Sequence, residues 1–197
     1  MTDWTSLNYV VVDVEGNGQR PPDLVELAAV PIIGGKIGDA QSWLVRPDTT
    51  ITRMARNIHG ITNDAVAAAP TFADIHAAVL DAVADAVLVA HNAHVDVGVL
   101  QRKLGDWQCP EVFDTLKLSR RLRPELPSHK LGALVDALLL GDDLPPGLTP
   151  HRATYDALVT ARLFVKLVTR TFHNPLSLEE LRNPPPVGGD DGPATLF

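Results

Sequence analysis

The 197-residue sequence contains a single cysteine, Cys109, so it forms no disulfide of its own. That scarcity fits a reducing cytoplasm, and a cytoplasmic location is expected. Long hydrophobic runs are also missing. The longest, such as Ala86-Val87-Leu88-Val89-Ala90 and Leu138-Leu139-Leu140, fall far below the roughly 20 residues a membrane helix requires. Met1-Thr2-Asp3-Trp4 has neither the basic nor the apolar region of a signal peptide, so none is expected. Nor is there an excess of positive charge: 17 Lys and Arg stand against 24 Asp and Glu, a net charge of −7. This argues against coating long nucleic acid by electrostatics alone, but it suits an acidic cluster that binds divalent metal. From Asn174 onward Glu179, Glu180, Asp190 and Asp191 face only Arg182, which leaves −4 for the preceding body. The bases concentrate in one stretch containing Arg102, Lys103, Lys117, Arg120, Arg121, Arg123 and Lys130. It reads equally as a solvated face or as a phosphate-tracking patch.

What is present is enough apolar material, 45% of residues, to bury one globular core. The β-branched run from Leu7 to Glu15 predicts a buried strand. A second strand is expected from Leu24 to Ile33. A third, Gln41 to Val45, follows the turn-rich Gly34–Asp39, and together they predict an antiparallel meander. Thr71 caps a predicted helix over Phe72–Ala84. A strand at Ala86–Ala90, a helix at Val95–Leu104 and a strand at Glu111–Phe113 come next. Helices near 115–122, 129–139 and 152–171 complete an α/β fold with a mixed central sheet flanked by helices. The expected organisation is a domain over residues 1–173 and a Pro/Gly-rich, flexible tail over 174–197. There is no internal repeat.

Three segments carry the chemistry. Asp13-Val14-Glu15 closes the first strand, and alternation places Asp13 and Glu15 on one face with Val10, Val12 and Val14 on the other. Two such carboxylates repel unless a cation lies between them, and their oxygens are the hard ligands that Mg²⁺ and Mn²⁺ prefer. Taken alone, the pair reads as well as the exposed acids of an ordinary strand end. His91-Asn92-Ala93-His94-Val95-Asp96 places an acid in the first turn of a helix, where it would equally stabilise the dipole. His151 follows Pro150 and lies five residues before Asp156. That spacing is about 140° of helical rotation, so the two converge only if His151 lies on the incoming loop. An imidazole there suits a general base near neutral pH. No Cys/His spacing supports a zinc site.

Together these segments resemble the DEDDh 3′→5′ exonucleases, the DnaQ-like superfamily of proofreading subunits, ribonuclease T and oligoribonuclease. Ile58-His59-Gly60-Ile61-Thr62, Asp114-Thr115-Leu116 and Pro127-Ser128-His129-Lys130-Leu131 are similar to further family segments in the same order. Arg152 stands where the tyrosine variant of the family has its Tyr, and His151 marks the histidine variant. Two departures stand out. Gly16-Asn17-Gly18-Gln19 replaces the usual Thr-Thr-Gly and its apolar base wedge, and Val95 replaces a common Phe.

The resemblance implies an RNase H-like fold and hydrolysis of phosphodiester bonds from the 3′ end of nucleic acid. Single-stranded DNA is the expected substrate, with nucleoside 5′-monophosphates released; the alternative is an exoribonuclease, and a non-catalytic nucleic-acid-binding protein is the third reading. It further implies two Mg²⁺ or Mn²⁺ ions held by Asp13, Glu15, Asp96 and Asp156, with His151 as the general base. Val14, Gly16, His59 and Asn92 are the expected contacts to the terminal nucleotide. The final Thr195-Leu196-Phe197 resembles the end of peptides that bind the bacterial sliding clamp, which makes Leu196 and Phe197 candidate clamp contacts.

Overall fold

The computed structural model describes residues 3–109, 111–169 and 176–182. Leu196 and Phe197 lie outside the described residues, as does the rest of 183–197. Six strands form one sheet: β1 Tyr9–Gly16, β2 Leu24–Ile33, β3 Lys36–Ile37, β4 Gln41–Leu44, β5 Val87–Ala90 and β6 Val112–Asp114. Their order is β3-β2-β1-β5-β6, with β4 also paired to β2. β1, β2 and β4 form the expected antiparallel meander. β5 and β6 add to the other side in parallel, so the sheet is mixed.

The helices are α1 Arg53–His59, α2 Asn63–Val66, α3 Phe72–Val83, α4 His94–Leu104, α5 Thr115–Leu122, α6 Leu131–Leu138, α7 Ala153–Thr169 and α8 Leu178–Arg182. α1 and α2 were not expected from periodicity, because each is two turns or fewer and depends on its caps. Thr52 Oγ1 accepts from Ala55 N–H at 3.2 Å and Thr62 Oγ1 from Ala65 N–H at 3.1 Å. Between the two helices Gly60 adopts φ +75°, the left-handed conformation that ends a helix at no side-chain cost. The Ile-His-Gly-Ile-Thr segment is therefore a stop, a turn and a start.

Two cores sandwich the sheet. On one face Tyr9, Val11, Val30 and Phe113 pack against α7, with Trp4, Tyr9 and Phe113 each in ring contact with Phe164. On the other, Val10, Val12, Leu27 and Leu88 pack under α3 and α4. Ala153, Ala157 and Ala161 recur every four residues on α7 and are fully buried. Their small side chains let the helix lie close over β1 and β2.

Leu176, Leu178 and Leu181, in the stretch expected to be tail, are buried in the α7-side core, and Ser177 bridges to Asp3. Burial of three leucines offsets much of the cost of ordering this short segment. Among the described residues no helix is long and apolar enough to cross a membrane.

Candidate active site

Tyr9, Val11, Asp13 and Glu15 all project from β1 toward α7, in register opposite Ile32, Val30, Ala28 and Glu26 of β2. The first two end in the core, while the last two emerge beyond it, beside the first turn of α7, which carries Asp156. One carboxylate oxygen from each of Asp13, Glu15 and Asp156 lies within 4.8 Å of the others. Asp96, in the first turn of α4, is buried and stands outside this trio. Its Oδ1 accepts from Val14 N–H at 3.0 Å, which ties α4 to the end of β1.

Lost hydration acts in the same direction on all four acids, and crowding adds to it at Asp13 and Glu15. Loss of hydration, then Asp96, Asp156 and Glu15, hold Asp13 well above the usual carboxylate range. Burial followed by Asp156 pushes Glu15 up to about 8. Asp96 is raised to about 7 by burial, against the opposing hydrogen bond from Val14. Burial raises Asp156 to about 6, and His151 opposes that rise. A cluster that resists carrying its own charge is one a divalent cation would stabilise, and an all-oxygen donor set suits a hard ion. The residues present therefore fit a divalent metal.

His151 lies on the exposed loop before α7, at φ +61°. Its backbone N–H donates to Asp156 Oδ2 at 3.2 Å, so Asp156 also holds the turn that presents the imidazole. Asn92 repeats the device. At φ +67° its N–H donates to Asp114 Oδ1 at 3.0 Å. Asp114 also accepts from Ala93, Leu116 and Lys117 N–H groups, locking the β5–α4 turn to the start of α5. Left-handed backbone at a non-glycine residue is costly and persists only where the surroundings impose it.

His59 is buried in the last turn of α1. Its Nδ1 accepts from Ile61 N–H at 3.0 Å, which leaves the proton on the buried Nε2, and the Gly16 backbone interacts with the ring. Burial lowers its pKa and favours the neutral ring. Val14 and Gly16 flank the acids on β1. Beyond them Asn17, expected to sit where the family carries its wedge segment, is fully buried. It donates to Thr49 Oγ1 at 2.8 Å and accepts from Gln19 and Asp23 N–H groups. The loop is closed against α1 at Gly18 (φ +78°), where a Cβ would come within 2.2 Å of Thr52 Oγ1.

Sequence reasoning missed Glu26. It is 5% exposed, beside Glu15, and accepts from Arg152 Nε at 2.9 Å, Arg152 Nη2 at 2.5 Å and Ala153 N–H at 2.9 Å. Arg152 thus does more than mark a subfamily, because this fork fixes the start of α7 between His151 and Asp156. The available signal was an acid inside Leu24-Val25-Glu26-Leu27-Ala28, since a charge in a buried strand requires a partner.

The RNase_T exonuclease family model matches residues 10–164. The chain belongs to this exonuclease family. It is a hydrolase of the 3′→5′ exonuclease type. It is similar to exodeoxyribonuclease 10 of Escherichia coli strain K12, 38% identical over 80% of this chain and 67% of that protein. It is also 33% identical to the 3′-5′ exonuclease DinG of Bacillus subtilis strain 168, over 88% of this chain but only 19% of DinG. Among solved structures, exonuclease X in complex with 5′-overhanging duplex DNA superposes with a TM-score of 0.72 at 34% identity, covering 88% of this chain and 96% of that one. Exonuclease I, at 22% identity over 83% of this chain and 41% of its own, shares the RNase H-like fold with a TM-score of 0.67.

Proposed function

We propose that the chain removes nucleotides one at a time from the 3′ end of DNA, using two Mg²⁺ ions bound by Asp13, Glu15, Asp96 and Asp156. The observation that carries this reading is the meeting of the Asp13, Glu15 and Asp156 oxygens within 4.8 Å on a frame where none is comfortably ionised alone. Divalent ions held there would supply an activated water and charge stabilisation for the leaving oxygen of a phosphodiester.

The chain's own groups do the rest. Asp13, Glu15 and Asp156, whose oxygens meet, would hold the ions together with Asp96, which approaches from α4. His151, exposed at the mouth, accepts the proton of the attacking water at its imidazole. His59, buried beside the Gly16 backbone, would support the strand end that meets the terminal nucleotide, with Val14, Gly16 and Asn92 as the nearer contacts. The naming of exodeoxyribonuclease 10 and the DNA complex of exonuclease X support DNA over RNA.

The deciding experiment digests matched 3′- and 5′-labelled DNA and RNA oligonucleotides with Mg²⁺, with Mn²⁺ and with chelator. The expected result is Mg²⁺-dependent release of 5′-mononucleotides from the 3′ end of single-stranded DNA. Faster digestion of RNA would reverse the substrate assignment, and undiminished activity in chelator would remove the metal.

A further inference from the structure

The basic stretch between residues 102 and 130 is sorted by the fold. Lys103 is taken by Asp23 at 2.5 Å, Arg123 by Glu125 at 2.5 Å, and Arg102 donates to the Pro22 carbonyl at 3.1 Å. Arg121 lies against the Leu181 carbonyl. Lys130 is exposed but does not line the groove along β6. Lys117 and Arg120 differ. Both are exposed on α5, three residues apart and so on adjoining positions of one helix face, with no ion pair or side-chain hydrogen bond among the described residues.

They flank a groove of about 680 Å³ along β6, the edge strand of the sheet, between α4 and α5. One end of the groove is Asn92 and Ala93, on the turn that leads to Asp96. Its floor is apolar, formed by Val97, Val112 and Leu116. The two acids that line it are already engaged. Glu111 holds Arg182 at 2.8 and 2.7 Å, and Asp114 accepts four backbone N–H groups. The groove therefore offers two free cations beside an apolar lining and reaches the Asn92 turn that leads to Asp96, on a protein whose net charge is −7.

We propose that this α5 groove carries the substrate strand behind its scissile nucleotide, with Lys117 and Arg120 on backbone phosphates and the apolar floor under sugars and bases. The inference rests on the exonuclease reading above and adds a path for the strand. Single-stranded nucleic acid is held elsewhere by the same pairing of cationic groove and flat apolar surface.

The test is the Lys117→Ala, Arg120→Ala double variant, with Lys36→Ala on β3, at the opposite edge of the sheet, as the control for lost charge. All three residues are exposed, so folding is not at stake. KM for a single-stranded 20-mer should rise roughly tenfold in the double variant, and the slope of log KM against log salt should shrink by about 1.4 for two lost phosphate contacts. Hydrolysis of thymidine 5′-(p-nitrophenyl phosphate), too short to reach the groove, should be unchanged, and Lys36→Ala should match the wild type throughout. An unchanged KM and salt slope on the 20-mer would overturn the proposal, as would equal losses on the small ester or in Lys36→Ala. A loss confined to duplex substrates would overturn the assignment to the substrate strand. Failure of the wild type to digest any oligonucleotide would instead remove the exonuclease reading itself.

Discussion

The two halves of β1 share one backbone, one face and one covering helix, yet they are held in opposite ways. Tyr9 and Val11 are at most 1% exposed and lie under Phe164 and its aromatic neighbours. Their burial drives folding. Asp13 and Glu15, two and four residues further on, gain nothing from the same surroundings, which raise both pKa values. The lower half supplies stability and the upper half draws on it to hold carboxylates where they repel. A rigid frame can keep such groups together until a cation arrives, and the two halves should therefore respond to substitution with opposite signs.

The largest effect is expected in the upper half. Asp13→Ala or Asp156→Ala should abolish hydrolysis while leaving the metal-free melting temperature equal or higher, because each removes a source of repulsion. Thermal melts beside Mg²⁺-dependent assays test both at once, and near-wild-type activity in either variant would break the metal assignment. His151→Ala should lower the rate by about 10²–10⁴-fold while preserving Mg²⁺ binding, with the deficit narrowing at high pH where hydroxide replaces the base. A pH–rate profile with metal titration would show whether His151 has been misassigned to proton transfer.

The lower half should behave in the reverse way. Phe164→Ala, at a fully buried ring, should cost about 3–5 kcal/mol, on the order of 10 °C in melting temperature. Its rate per folded molecule at low temperature should change little. A rate loss as large as that of His151→Ala would mean that the two halves are not separable.

The smallest effect is a pH dependence. Asp156, Asp96 and Glu15 have folded-state pKa values of about 6, 7 and 8, all raised above their unfolded values near 4. Their contribution to stability is thus fully present below pH 4 and is lost as pH climbs through 6 to 8. The metal-free protein should melt lower at pH 8.5 than at pH 5, and the gain from Mg²⁺ should grow over the same interval. A melting temperature rising with pH in chelator would contradict the crowding on which the comparison depends.

Much of this arrangement was legible before any coordinates. Alternation put Asp13 and Glu15 on one face, helical rotation put His151 on the loop, and Thr71 marked the start of α3, because each depends on residues a few positions apart. The family resemblance supplied the order of the acids along the chain. Contacts between distant residues were not legible. Arg152 and Glu26 are 126 residues apart, and Asp114 reaches the Asn92 turn from the neighbouring strand. The basic stretch looked uniform until Asp23 and Glu125 claimed Lys103 and Arg123 and left Lys117 and Arg120 beside the groove. Residues 176–182 looked like tail because their polar and Pro/Gly-rich neighbours dominate the local composition, whereas Leu176, Leu178 and Leu181 complete a core built by α7 and β1. Local periodicity is written by neighbours and so belongs to the sequence. Which charge meets which, and which apolar side chain is covered, depends on surfaces that exist only once the sheet and α7 have come together.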